Sequence, residues 1–287
     1  MYDDILLPFD GSDGAAAILH HASEIAHRFD ATIRVLYVAD TTRYSITRVG
    51  NQTVDTLVGK GREVVEEAAQ VLDTLATPYE TDVVQGNPAP TIAAYAEEYG
   101  YDLIVQPTHG RTGLSRYMLG SVSEKVLRLA SVPVLTARMR PDEETLTFPY
   151  ERILLPTDGS EPARRAARHG LSLAGLIDAD VHVLAVTPED GPERSLLADE
   201  VVGEEAASEA VETVLDVAES MGVAEPATHI ERGDPVEAIR ETIDELGIHA
   251  VVMGTTGRRG TDRILLGSVA ERTVRTAPVP VITVSGE

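Results

Sequence analysis

The 287-residue sequence predicts an α/β protein of two tandem domains, each a five-stranded, parallel, doubly wound sheet in the order 3-2-1-4-5. Three observations lead there. One unit is written twice. Within each unit, apolar runs without alternation take turns with runs of helical spacing, the pattern of parallel strands buried on both faces by crossover helices. After the fourth apolar run of each unit, a glycine-punctuated loop opens the last helix.

The repeat is explicit. Ile5-Leu6-Leu7-Pro8-Phe9-Asp10-Gly11-Ser12 returns 148 positions later as Ile153-Leu154-Leu155-Pro156-Thr157-Asp158-Gly159-Ser160. Gly86-Asn87-Pro88 returns as Gly233-Asp234-Pro235, and Gly120-Ser121-Val122 as Gly267-Ser268-Val269, both at 147. A period near 147 residues is too long for a solenoid and suits whole domains. The expected domains span 1–140 and 148–287, joined by a polar, proline-bearing stretch around Pro141-Asp142-Glu143-Glu144.

In the first copy the predicted order is strand 5–9, helix 15–29, strand 32–38, helix 53–75, strand 80–84, helix 90–98, strand 102–106, helix 121–130 and strand 134–137. Ala16, Leu19, Ala22, Ile25 and Ala26 give the first helix its apolar stripe. The second copy predicts strand 153–157, helix 164–176, strand 180–186, helix 201–221, strand 228–230, helix 236–246, strand 250–253, helix 268–276 and strand 281–284. The last strands, 134–137 and 281–284, are short, apolar sheet edges, and bare edges seek partners. The two copies are therefore expected to pair with each other within the chain, and a homodimer of chains is a further possibility.

Composition narrows the function. There are no cysteines, which excludes disulfides, thiolate metal sites and cysteine nucleophiles. No apolar run approaches the roughly 20 residues of a membrane span, and no secretion signal is visible, so a cytoplasmic protein with no membrane partner is expected. Forty-seven acids face 24 bases, a net charge of −23. Residues 1–147 hold 21 acids and 12 bases, residues 148–287 hold 26 and 12, so the excess is spread over both copies. An even spread predicts a surface adapted to very high salt, as in a halophile, and argues against nucleic acid as a partner.

The loop after the fourth strand of copy two reads Gly254-Thr255-Thr256-Gly257, then nine residues, then Gly267-Ser268-Val269. Backbone N–H groups at a helix start, with the positive end of its dipole, form an anion site, and glycines let main chain approach a phosphate. Arg258, Arg259 and Arg263 are gathered in this loop against one acid, Asp262. The plainer reading is a capping box in Ser268-Val269-Ala270-Glu271 and again in Ser121-Val122-Ser123-Glu124. Asp10 and Asp158 close the first strand of each copy. They are either turn aspartates or carboxylates at the crevice where the winding reverses, the usual ligand site of such sheets. The histidines show no metal-ligand spacing, and His109 is replaced by Thr256 in the other copy. Neither lysine, Lys60 nor Lys125, lies in a glycine loop, so the P-loop pattern of fast phosphoryl transfer is absent.

These motifs resemble the universal stress protein family, in a tandem arrangement covering the chain outside the linker. The resemblance implies a Rossmann-like fold of the adenine nucleotide alpha hydrolase-like type and an ATP site in copy two, with Mg or Mn on the phosphate oxygens. Pro156, Asp158, Val186 and Met253 would lie around the adenine, Gly254 at the ribose, and Gly257, Gly267, Ser268 and Val269 at the phosphates. Copy one offers Pro8, Asp10, Val38, Gln106, Gly110, Gly120, Ser121 and Val122. It departs at Pro107, which stands where Gly254 stands and brings a ring and no N–H, so weaker binding is expected there. The function implied is an ATP-binding stress-response switch or scaffold with at most slow hydrolysis. The alternatives are a nucleotide-free interaction module and an adenylyl-transferring enzyme.

Overall fold

The structure is a computed structural model that describes residues 1–41, 51–108, 119–138, 146, 148–187, 198–256 and 266–285, with backbone only for 51–56 and 198–202. The chain divides into two compact units, Met1–Phe148 and Pro149–Glu287.

Unit 1 runs β1 (Asp4–Pro8), α1 (Asp13–Phe29), β2 (Thr32–Asp40), α2 (Asn51–Thr74), β3 (Tyr79–Gly86), α3 (Pro88–Tyr99), β4 (Leu103–Pro107), α4 (Ser121–Leu129) and β5 (Val134–Ala137). Its strands pair in the order 3-2-1-4-5, every registered pair parallel. Unit 2 repeats the pattern with β6 (Arg152–Pro156), α5 (Glu161–Ile177), β7 (Asp180–Thr187), α6 (Ala198–Met221), β8 (Ala227–Arg232), α7 (Pro235–Leu246), β9 (Ala250–Gly254), α8 (Ser268–Thr276) and β10 (Val281–Val284). Its order is β8-β7-β6-β9-β10, again parallel.

The central strands are buried on both faces, as their unbroken apolar runs require. Ile5, Leu6 and Leu7 are fully buried, and so are Ile153, Leu154 and Leu155. In unit 1, α1 and α2 cover one face and α3 and α4 the other; in unit 2 the pairs are α5 with α6 and α7 with α8. At Gly170, α5 comes close to the sheet: a Cβ there would lie 2.4 Å from Leu155 Cδ2 and 3.3 Å from Val252 Cβ.

Six predicted helices start one to three residues earlier than the sequence reading places them, and some of these starts take in a proline that reading left outside the helix. Helix α5 begins at Glu161, not 164, with Pro162 in its first turn, and α3 begins at Pro88. Proline is accepted there because the first helical N–H groups have no intrahelical partner to lose. Strands β3 and β8 run longer than the predicted 80–84 and 228–230. Both stand last in their unit's strand order, β8 mostly exposed and β3 mostly half-buried, so apolar content understates their length.

Candidate functional site

The site is built where the winding of each sheet reverses. In unit 2, β6 pairs with β7 as far as Pro156↔Leu184, but with β9 only as far as Leu154↔Val251. The β6–β9 register ends at that pair, which marks the switch point where the crevice of an open α/β sheet lies. Unit 1 does the same, with β1–β2 pairing to Pro8↔Leu36 and β1–β4 pairing ending at Leu6↔Ile104.

One lip of the crevice is the turn from β6 into α5. Thr157 N–H donates to Leu184 C=O at 2.8 Å, carrying the chain one residue past the strand. Asp158 Oδ1 then accepts from Ser160 N–H at 3.0 Å, and Gly159 takes φ +72°, a conformation glycine adopts without Cβ strain. Ser160 Oγ caps α5 by accepting from Ala163 N–H at 3.3 Å. Unit 1 forms the same turn: Asp10 Oδ1 accepts from Ser12 N–H at 3.0 Å, Gly11 has φ +71°, and Ser12 Oγ accepts from Ala15 N–H at 3.2 Å. Each aspartate thus has a structural task through one oxygen, and that turn holds its carboxylate at the sheet edge.

The other lip runs from the end of β9 to the start of α8. Gly254 ends the strand, Thr255 N–H continues the ladder to Val284 C=O at 3.1 Å, and Gly267 N–H donates to Thr255 C=O at 2.7 Å. Unit 1 matches it with Thr108 N–H to Ala137 C=O at 3.0 Å and Gly120 N–H to Thr108 C=O at 2.7 Å. The two ends of the glycine loop are therefore clamped alike in both units. Gly110 and Gly257, with the arginines Arg258, Arg259 and Arg263, lie outside the described residues.

The helix start is where the structure corrects the sequence reading. The capping boxes do not form. Gly267 is the N-cap of α8 and Gly120 that of α4, each with extended backbone and no side-chain cap bond, while Ser268 and Ser121 are the first helical residues. The caps of α1, α5 and α7 differ: there Ser12, Ser160 and Asp234 each place an oxygen on the helix N–H groups. At α8 and α4 the cap supplies no such oxygen. Ser268 is exposed and Val269 half-buried, as are Ser121 and Val122.

Of the remaining predicted residues, Pro156, Val186 and Gly254 are half-buried at strand ends, and Met253 is buried. In unit 1, Pro8 and Val38 are half-buried. Gln106 is buried, and its Nε2 donates to Ser123 C=O of α4 at 3.1 Å, while Ser123 Oγ donates to Pro107 C=O at 2.9 Å. That amide holds α4 against β4.

One polar group missed in the sequence reading is Asp234. It caps α7 through Val236 and Glu237 N–H at 2.9 and 3.2 Å and accepts from Arg272 of α8 at 2.8 Å. The Arg272 guanidinium holds its carboxyl below the usual range. The signal was its place in the Gly233-Asp234-Pro235 repeat, where Pro235 marks a helix start. Among the described residues no group of three or more His, Asp or Glu could hold a metal ion, and no helix is long and apolar enough to cross a membrane.

A parallel sheet with a switch-point crevice, an aspartate turn on one lip and a glycine-capped helix on the other defines a Rossmann-like α/β protein suited to an anionic ligand. The sequence profile of the Universal stress protein family matches residues 1–138 and again 149–285, so the chain belongs to that family as a tandem two-domain member. It is 34% identical over 147 residues to the universal stress protein MJ0531 of Methanocaldococcus jannaschii, covering 50% of this chain and 86% of that one. It is 34% identical over 148 residues to the universal stress protein YxiE of Bacillus subtilis, covering 48% of this chain and all of the other. Among solved structures, a universal stress protein from Archaeoglobus fulgidus superimposes with a TM-score of 0.75 at 27% identity, over 98% of both chains.

Proposed function

We propose that this universal stress protein binds ATP in unit 2 and acts as a nucleotide-dependent switch or scaffold, with at most slow hydrolysis. The observation that carries the reading is the start of α8. Its glycine cap offers no side-chain acceptor to the first N–H groups of the helix among the described residues. An uncapped helix start with its positive dipole end invites a phosphate group. Gly267, Ser268 and Val269, with Gly257, hold the phosphates in this reading, Gly254 approaches the ribose, and Pro156, Asp158, Val186 and Met253 enclose the base. A Mg or Mn ion would be held mainly by phosphate oxygens, neutralising their charge.

Binding, and not catalysis, fits the residues at the lips. Asp158 is tied into its turn through Oδ1, and neither lysine of the chain belongs to the loop. Isothermal titration of the whole chain with ATP and Mg should show saturable binding. Gly257→Val with Gly267→Val should weaken it more than tenfold. A wild-type chain that neither titrates with ATP nor retains nucleotide through purification would sink the reading.

A further inference from the structure

Gly254 is a glycine for a reason that involves no ligand. Successive side chains of a strand point to opposite faces, and Gly170 of α5 meets Val252, so 252 and 254 both look towards α5. A Cβ on Gly254 would lie 2.8 Å from the carbonyl carbon of Pro162, 2.9 Å from its oxygen and 3.0 Å from its Cβ. Two of those neighbours are backbone and cannot step aside. The second residue of α5 occupies the space that a side chain at 254 would need.

Unit 1 has the same two positions with the residues traded. Helices α1 and α5 both start directly after their serine caps, so Gly14 and Pro162 are both second helical residues. Pro107 and Gly254 both end the fourth strand of their sheet. The bulky partner sits on the helix in unit 2 and on the strand in unit 1. A proline in a central strand normally breaks a ladder bond, but this one does not. Ile104 and Thr108 N–H donate to Pro133 and Ala137 C=O of β5, so the alternate residue 107 faces β1, beyond the last β1–β4 pair, Leu6↔Ile104. The ring direction follows as well. Gln106 points to α4, so Pro107, which is buried, points to the opposite face, towards α1.

We infer that residues 162 and 254 form a large–small pair that positions the N-terminus of α5 against the end of β9, and that unit 1 carries this pair exchanged as Gly14 and Pro107. The Cβ side of the Pro107 ring fills the packing against α1, while its Cδ takes the place of the N–H on the side that faces β1. The two crevices then differ at this point by an N–H donor replaced with one ring methylene, and unit 1 keeps a second site for the same ligand, weaker by at least roughly two- to tenfold, the worth of one hydrogen bond. The packing part stands independently; the binding part rests on the ATP reading above.

The packing part is tested by thermal unfolding of the full chain without nucleotide. Gly254→Ala should lower Tm by several degrees, and much less when Pro162→Gly is also present. Gly254→Pro should be the more severe change, relieved in the same way. An equal penalty with and without Pro162→Gly overturns the pairing. The binding part is tested by calorimetric titration with ATP and Mg. Two sites per chain are expected, drawing together in affinity in the Gly14→Pro, Pro107→Gly double variant. A single site in both wild type and that variant overturns the unit 1 site. No binding by any chain overturns the ATP reading and leaves the melting result to decide the pairing.

Discussion

Two imidazoles in unit 2 have their pKa lowered by their surroundings. His169 lies on α5 at the position that buried His21 occupies on α1, and burial pushes its pKa down to about 4. His182 is lowered too, first by burial and then by His229 and Arg152, against the opposing pull of Asp180. The nitrogens of His182 and His229 are 3.1 Å apart and the ring centroids 5.4 Å, so the rings meet in a hydrogen bond between β7 and β8. The unfolded chain takes up protons near pH 6.5, whereas folded His169 resists until about 4. Its contribution is therefore full above pH 6.5 and lost as pH falls towards 4. Between pH 6.5 and 5 this costs about 2 kcal/mol for His169 alone. Urea unfolding at pH 7 and pH 5 should show that loss in the wild type and a smaller one in His169→Asn. Equal losses would remove His169 as the cause. The sequence displayed these histidines as scattered, because spacing along a chain does not reveal which strands will be neighbours.

At the scale of elements, five helix starts sort into two kinds, while α3 follows Asn87 without a side-chain cap bond and opens on Pro88. Those of α1, α5 and α7 are closed by side-chain oxygens, while α4 and α8 are opened by glycines. The Ser-x-x-Glu pattern at 121 and 268 misled because it is a local signal, and the register of the helix is set from outside it. Gly267 is bonded to Thr255, and its own C=O accepts from Glu271 N–H at 2.9 Å, which makes the glycine the cap and the serine the first helical residue. A trade-off follows. Gly267→Asp should cap α8 and raise stability without nucleotide by a few tenths of a kcal/mol. It should also abolish ATP binding, since a carboxylate would occupy the phosphate position. Melting and titration on the same sample read both effects. ATP binding that survives this substitution would take the phosphates away from α8.

At the scale of the whole molecule, charge dominates. A net −23 spread over both units leaves many carboxylates in mutual repulsion at low ionic strength. Raising salt from 0.1 M to 1 M shortens the screening length from about 10 Å to about 3 Å. The apparent Tm should therefore climb steadily with NaCl into the molar range. A flat or falling profile would count against adaptation to high salt.

Repeat, strand order and element sequence were legible in the chain because two-sided burial and helical period are written directly into residue order. Ile5-Leu6-Leu7 and Ile153-Leu154-Leu155 could only be interior parallel strands, and the profile and the sheet order agree. The glycines and the aspartates of the crevice were visible for the same reason, as residues whose backbone demands are local. What Pro107 and Gly254 mean was decided only by the tertiary structure. Their roles depend on which helix end each one faces and on which neighbouring strand each N–H could reach. Pro162 lies 92 positions before Gly254, and no local pattern links them until the fold closes α5 onto β9.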